Sequence, residues 1–154
     1  MLEAGYEPAL YEIGTHVGGM WVYNNDNNRS SAYKTLHINT ARDLTAFKDF
    51  AFDPDVQDFP DHKDMAKYLK AYADHFDVTR RIKFKTRVTD VRRAPSYSDA
   101  KPRWIIETED GATTEYDTVI IASGHLTKPL DEPMFRDSLK GQYLHSHHHK
   151  DPAT

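Results

Sequence analysis

Residues 118–125 read Thr-Val-Ile-Ile-Ala-Ser-Gly-His, and the rest of the chain is interpreted outward from them. Val119-Ile120-Ile121-Ala122 is apolar on both faces of an extended backbone, the pattern of a central strand covered on each side. Ser123-Gly124 then permits a sharp turn where a ligand or an adjoining element packs closely. A second stretch, Glu12-Ile13-Gly14-Thr15-His16-Val17-Gly18-Gly19-Met20-Trp21, sets an acidic strand end before a glycine-rich loop. Together the two stretches suggest parts of an α/β dinucleotide-binding half-domain.

The intervening segments supply the other elements. Leu2-Glu3-Ala4-Gly5 has the form of a last helical turn closed by glycine. Pro8 to Glu12 is expected to be a short buried strand, and residues 22–34, polar and asparagine-rich, to be irregular. Pro60 and Asp61 can start a helix, with Asp61 as cap and Asp64 three places on. Met65, Leu69, Tyr72, Ala73 and Phe76 then share one helical face. After Val78 the period becomes two, and Ile82, Phe84, Thr86, Val88 and Val91 predict one strand. Trp104 to Thr108 is a second strand, Asp110-Gly111 a hairpin turn, and Tyr116 to Ala122 a third strand. Residues 95–102 form a polar loop, and the tail from Gly141 is histidine-rich without clear periodicity. No internal repeat occurs, and no linker is long enough to split the chain.

Composition narrows the function classes. A chain of 154 residues can bury one core. Aromatics at 12% argue against a disordered polar chain, although charged residues reach 29%. A net charge of -4 gives no nucleic-acid footprint. With no cysteine, disulfides and thiol catalysis are excluded. No apolar run approaches a membrane span. The amino terminus has neither the basic start nor the apolar stretch of a signal peptide. The expected location is cytoplasmic.

Few residues point to chemistry individually. Glu12, at a strand end, suits hydrogen bonds from ribose hydroxyls, though many strands end in a surface glutamate. Gly18 and Gly19 allow close backbone approach to a ligand, and Trp21 can cover an aromatic ring. A structural turn with a core tryptophan would have the same pattern. The Asn39 amide can orient a polar ring edge or simply serve a turn. His125 stands beside a turn, where a histidine is seldom catalytic. His145 and His149 would share a face if that segment were helical. No cysteine lies near them and Asp151 is the close carboxylate, so no metal site is expected.

In order along the chain, these segments resemble the flavin-containing monooxygenases. The resemblance is carried by residues 2–8 (LEAGYEP), 11–21 (YEIGTHVGGMW), 30–36 (SSAYKTL) with Asn39-Thr40, 58–62 (DFPDH), 68–73 (YLKAYA), 86–88 (TRV), 121–125 (IASGH) and 139–147 (LKGQYLHSH). It implies a partial Rossmann-like FAD-binding domain over residues 1–154, interrupted by a β-hairpin or meander insertion. It also implies FAD and NADPH as cofactors and a small-molecule substrate. In this family the reduced flavin takes up oxygen as a C4a-hydroperoxide and oxygenates nitrogen or sulfur, while protein groups position the cofactors and exclude water. By motif match, Glu12 would bind the FAD ribose, with the loop glycines Gly18 and Gly19 beside it. Met20 and Trp21 would line the flavin. Asn39 and Thr40 would lie near the isoalloxazine and nicotinamide, with Asn39 supporting the hydroperoxide. Val88 would meet the adenine through its backbone, and Ser123 and Gly124 would link the FAD and NADPH regions.

The chain departs from the family pattern in places. Leu139 replaces the phenylalanine of the FxGxxxH-type signature, and His149 stands where an aromatic is usual. The tryptophan of the Baeyer–Villiger branch is missing there, which makes that branch the weaker match. The resemblance places a first strand with GxGxxG ahead of Leu2 and an NADPH fingerprint after Thr154. The chain is therefore expected to be an internal portion of such an enzyme, with little tight FAD binding and no turnover alone. The rival expectation is a catalytically inactive binding module that self-associates through an unpaired sheet edge.

Overall fold

A computed structural model describes residues 4–130 and 132–153. They sort into two compact units, each discontinuous in sequence. The first takes residues up to Thr15 with Arg80–Ser123, and the second takes His16–Thr79 with Gly124 onward. The expected closing turn at residues 2–5 falls partly outside the described residues, but Gly5 does adopt φ 79.

In the first unit, β1 (Leu10–Tyr11) pairs in parallel with β2 (Ile82–Lys83), and the Glu12 N–H extends the ladder to the Lys83 carbonyl at 3.1 Å. The strand expected to run from Ile82 through Val91 is broken. Lys85 turns into the left-handed region at φ 52, and its N–H goes to the Gly14 carbonyl at 3.0 Å. The chain leaves one sheet there and enters another as β3 (Val88–Arg93). β3, β4 (Trp104–Thr108) and β5 (Thr113–Tyr116) form an antiparallel meander in sequence order. Asp110-Gly111 makes the expected turn, with Gly111 at φ 81.

The third expected strand, Tyr116 to Ala122, is not found. The hairpin sets Thr113 opposite Glu107 and Tyr116 opposite Trp104, so β4 is used up at Tyr116. Residues 117–122 then have no strand partner among the described residues, and Ile120 and Ile121 are 66% and 76% exposed. Pairing here follows the register of the turn, and apolar character alone does not make a strand.

The second unit holds the core. Its organiser is α2 (His62–His75), whose amino terminus is closed by a full capping box between Asp61 and Asp64. Met65 and Tyr68 bury against Ile38 and Phe52, with Trp21, Phe50 and Leu69 packed around them. Tyr68, absent from the expected face, lies flat on Phe52 at 3.8 Å between ring centroids. Its hydroxyl accepts from the Phe47 N–H at 2.7 Å and donates to the Phe50 carbonyl at 2.6 Å, so the phenol enters the core with its polar end satisfied. Two short helices not read from the sequence complete the unit, α1 (Arg42–Thr45) and α3 (Pro133–Asp137). Residues 22–34 are irregular, with Asn24 and Asn28 at positive φ.

Candidate functional site

The candidate residues divide between the two units. Glu12, Val88 and Ser123 belong to the first, and Gly18, Gly19, Met20, Trp21, Asn39, Thr40 and Gly124 to the second.

In the first unit Glu12 is half-buried at the end of β1. One carboxylate oxygen accepts the Gly14 N–H at 2.7 Å, closing the turn, and the other accepts no hydrogen bond from the described residues. The Thr86 N–H donates to the Glu12 carbonyl at 2.9 Å, which ties this strand end to the segment leading into Val88. The sheet positions are locked from the side. The Tyr11 and Tyr116 hydroxyls meet at 2.7 Å, joining β1 to the end of β5, and the Lys83 ammonium lies 5.1 Å over the Tyr11 ring. Burial and the shared hydrogen bond push Tyr116 up to about 12. Burial opposes ionisation of Tyr11 too, yet the hydrogen bonds and the nearby Lys83 cation bring its pKa below the usual phenol value.

Val88 starts β3 opposite Thr108. Beside it lies a polar hollow of about 300 Å³ lined by Lys85, Thr86, Arg87, Thr108, Glu109 and Asp110. No sequence signal marks this hollow, because it depends on the turn at Lys85 meeting the hairpin. Ser123 is exposed and makes no link to Glu12 or Val88 among the described residues.

In the second unit the glycine loop ends in a 3-10 turn, Gly19–Trp21. Gly18 adopts φ 126, and a Cβ there would stand 2.9 Å from Val22 Cγ2 and 3.6 Å from Ala66 Cα. Its close approach is therefore to the Val22 side chain, with Ala66 of α2 in ordinary contact. Gly19, at φ 53, faces open space. Trp21 packs on the core cluster that includes Ile38, and Ile38 immediately precedes Asn39. That shared core places the Met20–Trp21 turn and the Asn39–Thr40 pair on one framework. Asn39 and Thr40 are exposed, with the Thr40 hydroxyl 3.4 Å from Asn39 Oδ1. Gly124 is exposed at φ 73.

The histidine-rich tail has structural contacts. His145 Nδ1 accepts the His147 N–H at 3.1 Å, and the His149 ring lies 5.9 Å from that of Tyr33. Burial, with the neighbouring His148 and Lys150 charges, lowers the His147 pKa. Among the described residues no group of three histidine, cysteine or acidic side chains is placed to hold a metal ion, and no helix is long and apolar enough to cross a membrane.

Comparison with known proteins gives a consistent result. The family model for flavin-binding monooxygenase-like proteins matches residues 1–154. Flavin-containing monooxygenase 1 from Homo sapiens is 33% identical over 159 residues, covering 98% of this chain and 30% of its own length. The structure of S-allyl-L-cysteine S-oxygenase from Allium sativum superposes with a TM-score of 0.80 at 25% identity, over 99% of this chain and 39% of that one. The crystal structure of OTEMO in complex with FAD and NADP matches with a TM-score of 0.66 at 25% identity, over 95% of this chain and 26% of that one. The chain spans about 30% of the length of the curated relatives it matches.

Proposed function

The chain belongs to the flavin-binding monooxygenase-like family, and on that premise we propose that it forms part of an FAD- and NADPH-dependent monooxygenase acting on nitrogen or sulfur of a small molecule. The observation that carries this reading is Glu12, a half-buried carboxylate at the end of a parallel strand with one oxygen still open to a ligand. A vicinal diol is the complement of such a group, because two hydroxyls can donate to carboxylate oxygens in a charge-assisted way. Bound FAD, reduced by NADPH, supplies oxygen activation and transfer of one oxygen atom.

The chain's own residues bind and orient. Glu12 holds the ribose, and the Val88 backbone meets the adenine beside the polar hollow. Gly19, with nothing within 4 Å of a Cβ position, leaves room for a ring next to Met20 and Trp21. Asn39 and Thr40 present an amide and a hydroxyl to the ring edge, and Asn39 is the catalytic group of this reading. Ser123 and Gly124 serve the link toward the NADPH side. The sequence has no GxGxxG, so these residues fit the ribose and ring portions of FAD and not its pyrophosphate.

Titration of the 154-residue chain with FAD, followed by flavin absorbance and Trp21 quenching, tests this. The expected result is weak binding that falls about tenfold further in Glu12→Ala, as the loss of one charge-assisted hydrogen bond requires. Unchanged affinity in Glu12→Ala overturns the assignment of Glu12, and stoichiometric yellow flavin after purification overturns weak binding. A second reading, an interaction module that self-associates, is favoured by the exposure of Ile120 and Ile121 on an unpaired segment.

A further inference from the structure

The carboxyl-terminal segment carries a lysine that this function does not use. Lys150 sends its ammonium inward to two main-chain oxygens, the Ser30 carbonyl at 2.5 Å and the Ala32 carbonyl at 3.2 Å. No carboxylate forms an ion pair with it among the described residues. Desolvation lowers its pKa from the usual amine value. A surface lysine gains nothing from such a placement, since water serves its three donors equally well.

The residues it holds are buried. Ser30 is 3% exposed and Ala32 fully buried. The Ser30 hydroxyl accepts the Ala32 N–H at 3.1 Å and donates to the Met20 carbonyl at 2.5 Å. Two further ties fix the tail to the same strip. The Lys34 N–H donates to the Lys150 carbonyl at 2.8 Å, and the Lys34 ammonium pairs with Asp151 at 2.8 Å. The hydrogen bonds thus run from Lys150 to Ser30, 120 residues earlier in sequence, and on to the main chain of the turn that carries Met20 and Trp21.

We propose that Lys150 is a positioning residue, holding Ser30 so that its hydroxyl fixes the Met20–Trp21 turn in the orientation that lines the flavin. The flavin half of this statement rests on the function proposed above; the ordering of the turn does not. Lys150 donates to two carbonyls that accept from no other donor among the described residues. Its removal leaves both oxygens short of a partner, and the strip relaxes away from Met20.

Amide hydrogen exchange, read by NMR on the full 154-residue chain, tests the proposal without any flavin. The reporters are the Trp21 and Val22 N–H groups, which donate to the Gly18 and Gly19 carbonyls. In Lys150→Met their protection should fall about fivefold, the change expected when local opening loses one net hydrogen bond. Ser30→Ala should give the same fall, and the double variant no more than either. Amides of Met65 and Leu69 in α2 should keep their protection, and Lys34→Met, which cuts only the outer pair, should leave Trp21 unchanged. Unchanged Trp21 and Val22 protection in Lys150→Met overturns the proposal, as does an equal loss throughout α2 or an additive double variant. Should Lys150→Met fail to fold, Lys150→Arg decides. A guanidinium can donate to both carbonyls, so Trp21 protection should return to that of the parent, and its loss there overturns the proposal. FAD titration of the parent separates the two readings: turn ordering without any FAD binding retains Lys150's structural role and removes the flavin.

Discussion

At the scale of single residues, two adjacent glycines have different physical reasons. Gly18 is required twice over, by its φ of 126 and by the Val22 side chain that crowds its Cβ position. Gly18→Ala should destabilise the chain by about 2 kcal/mol, since both the backbone and the packing must yield. Gly19 needs only its left-handed φ of 53 and has open space around it. Gly19→Ala should cost about 1 kcal/mol, and Gly19→Asn less than that. Urea denaturation of the three variants checks the order. A Gly19→Ala as damaging as Gly18→Ala would contradict it. The sequence marked both positions as allowing close backbone approach to a ligand, but could not distinguish a glycine packed against a side chain from one open to a ligand. That difference is made by the Val22 side chain, 2.9 Å from the Gly18 Cβ position, with Ala66 of α2 in ordinary contact behind it.

At the scale of elements, helix α2 was the most legible part of the chain. Its capping box and, of its buried residues, Met65 and Ala73 follow from spacings within one segment. Tyr68 was absent from the expected face, yet the Phe47 N–H and Phe50 carbonyl give its hydroxyl polar partners inside the core. The Asp61 side chain accepts from the Lys63 and Asp64 N–H groups at 2.7 and 2.9 Å. Asp61→Ala should therefore cost about 1 kcal/mol, measured by chemical denaturation followed through helix ellipticity, with Asp61→Ser recovering most of it. No loss in Asp61→Ala would mean that the box contributes nothing. The strands were less legible. Alternation from Ile82 to Val91 persists through a break at Lys85, because the break is made by a hydrogen bond to Gly14 in a remote segment.

At the scale of the whole molecule, the apolar run at residues 119–122 is the clearest conflict between local pattern and observed pairing. The sequence pattern is that of a covered central strand, yet Ile120 and Ile121 are exposed. An exposed, unpaired apolar segment is a template for association. Ile121→Lys should shift sedimentation toward the monomer while changing unfolding free energy by no more than about 0.5 kcal/mol, as for a surface substitution. An unchanged sedimentation profile would remove this segment as the contact. The family was legible because its signature is an ordered set of short motifs, each local. The candidate site was legible only as a collection of residues. Which of them share a framework, as Trp21 and Asn39 do through Ile38, became apparent only in three dimensions.

The sequence by itself determined the family, the capped helix α2, the hairpin at Asp110-Gly111 and the irregular asparagine-rich segment. Each rests on interactions between near neighbours: a cap and its N–H groups, a turn and its glycine, an apolar period. Only the tertiary structure decided that the strand after Ile82 splits between two sheets, that β5 ends at Tyr116, that Gly18 faces a helix, and that Lys150 donates to Ser30, 120 residues earlier. Those outcomes depend on which distant donor, acceptor or surface is close enough to satisfy a buried group, and chain spacing does not encode that proximity.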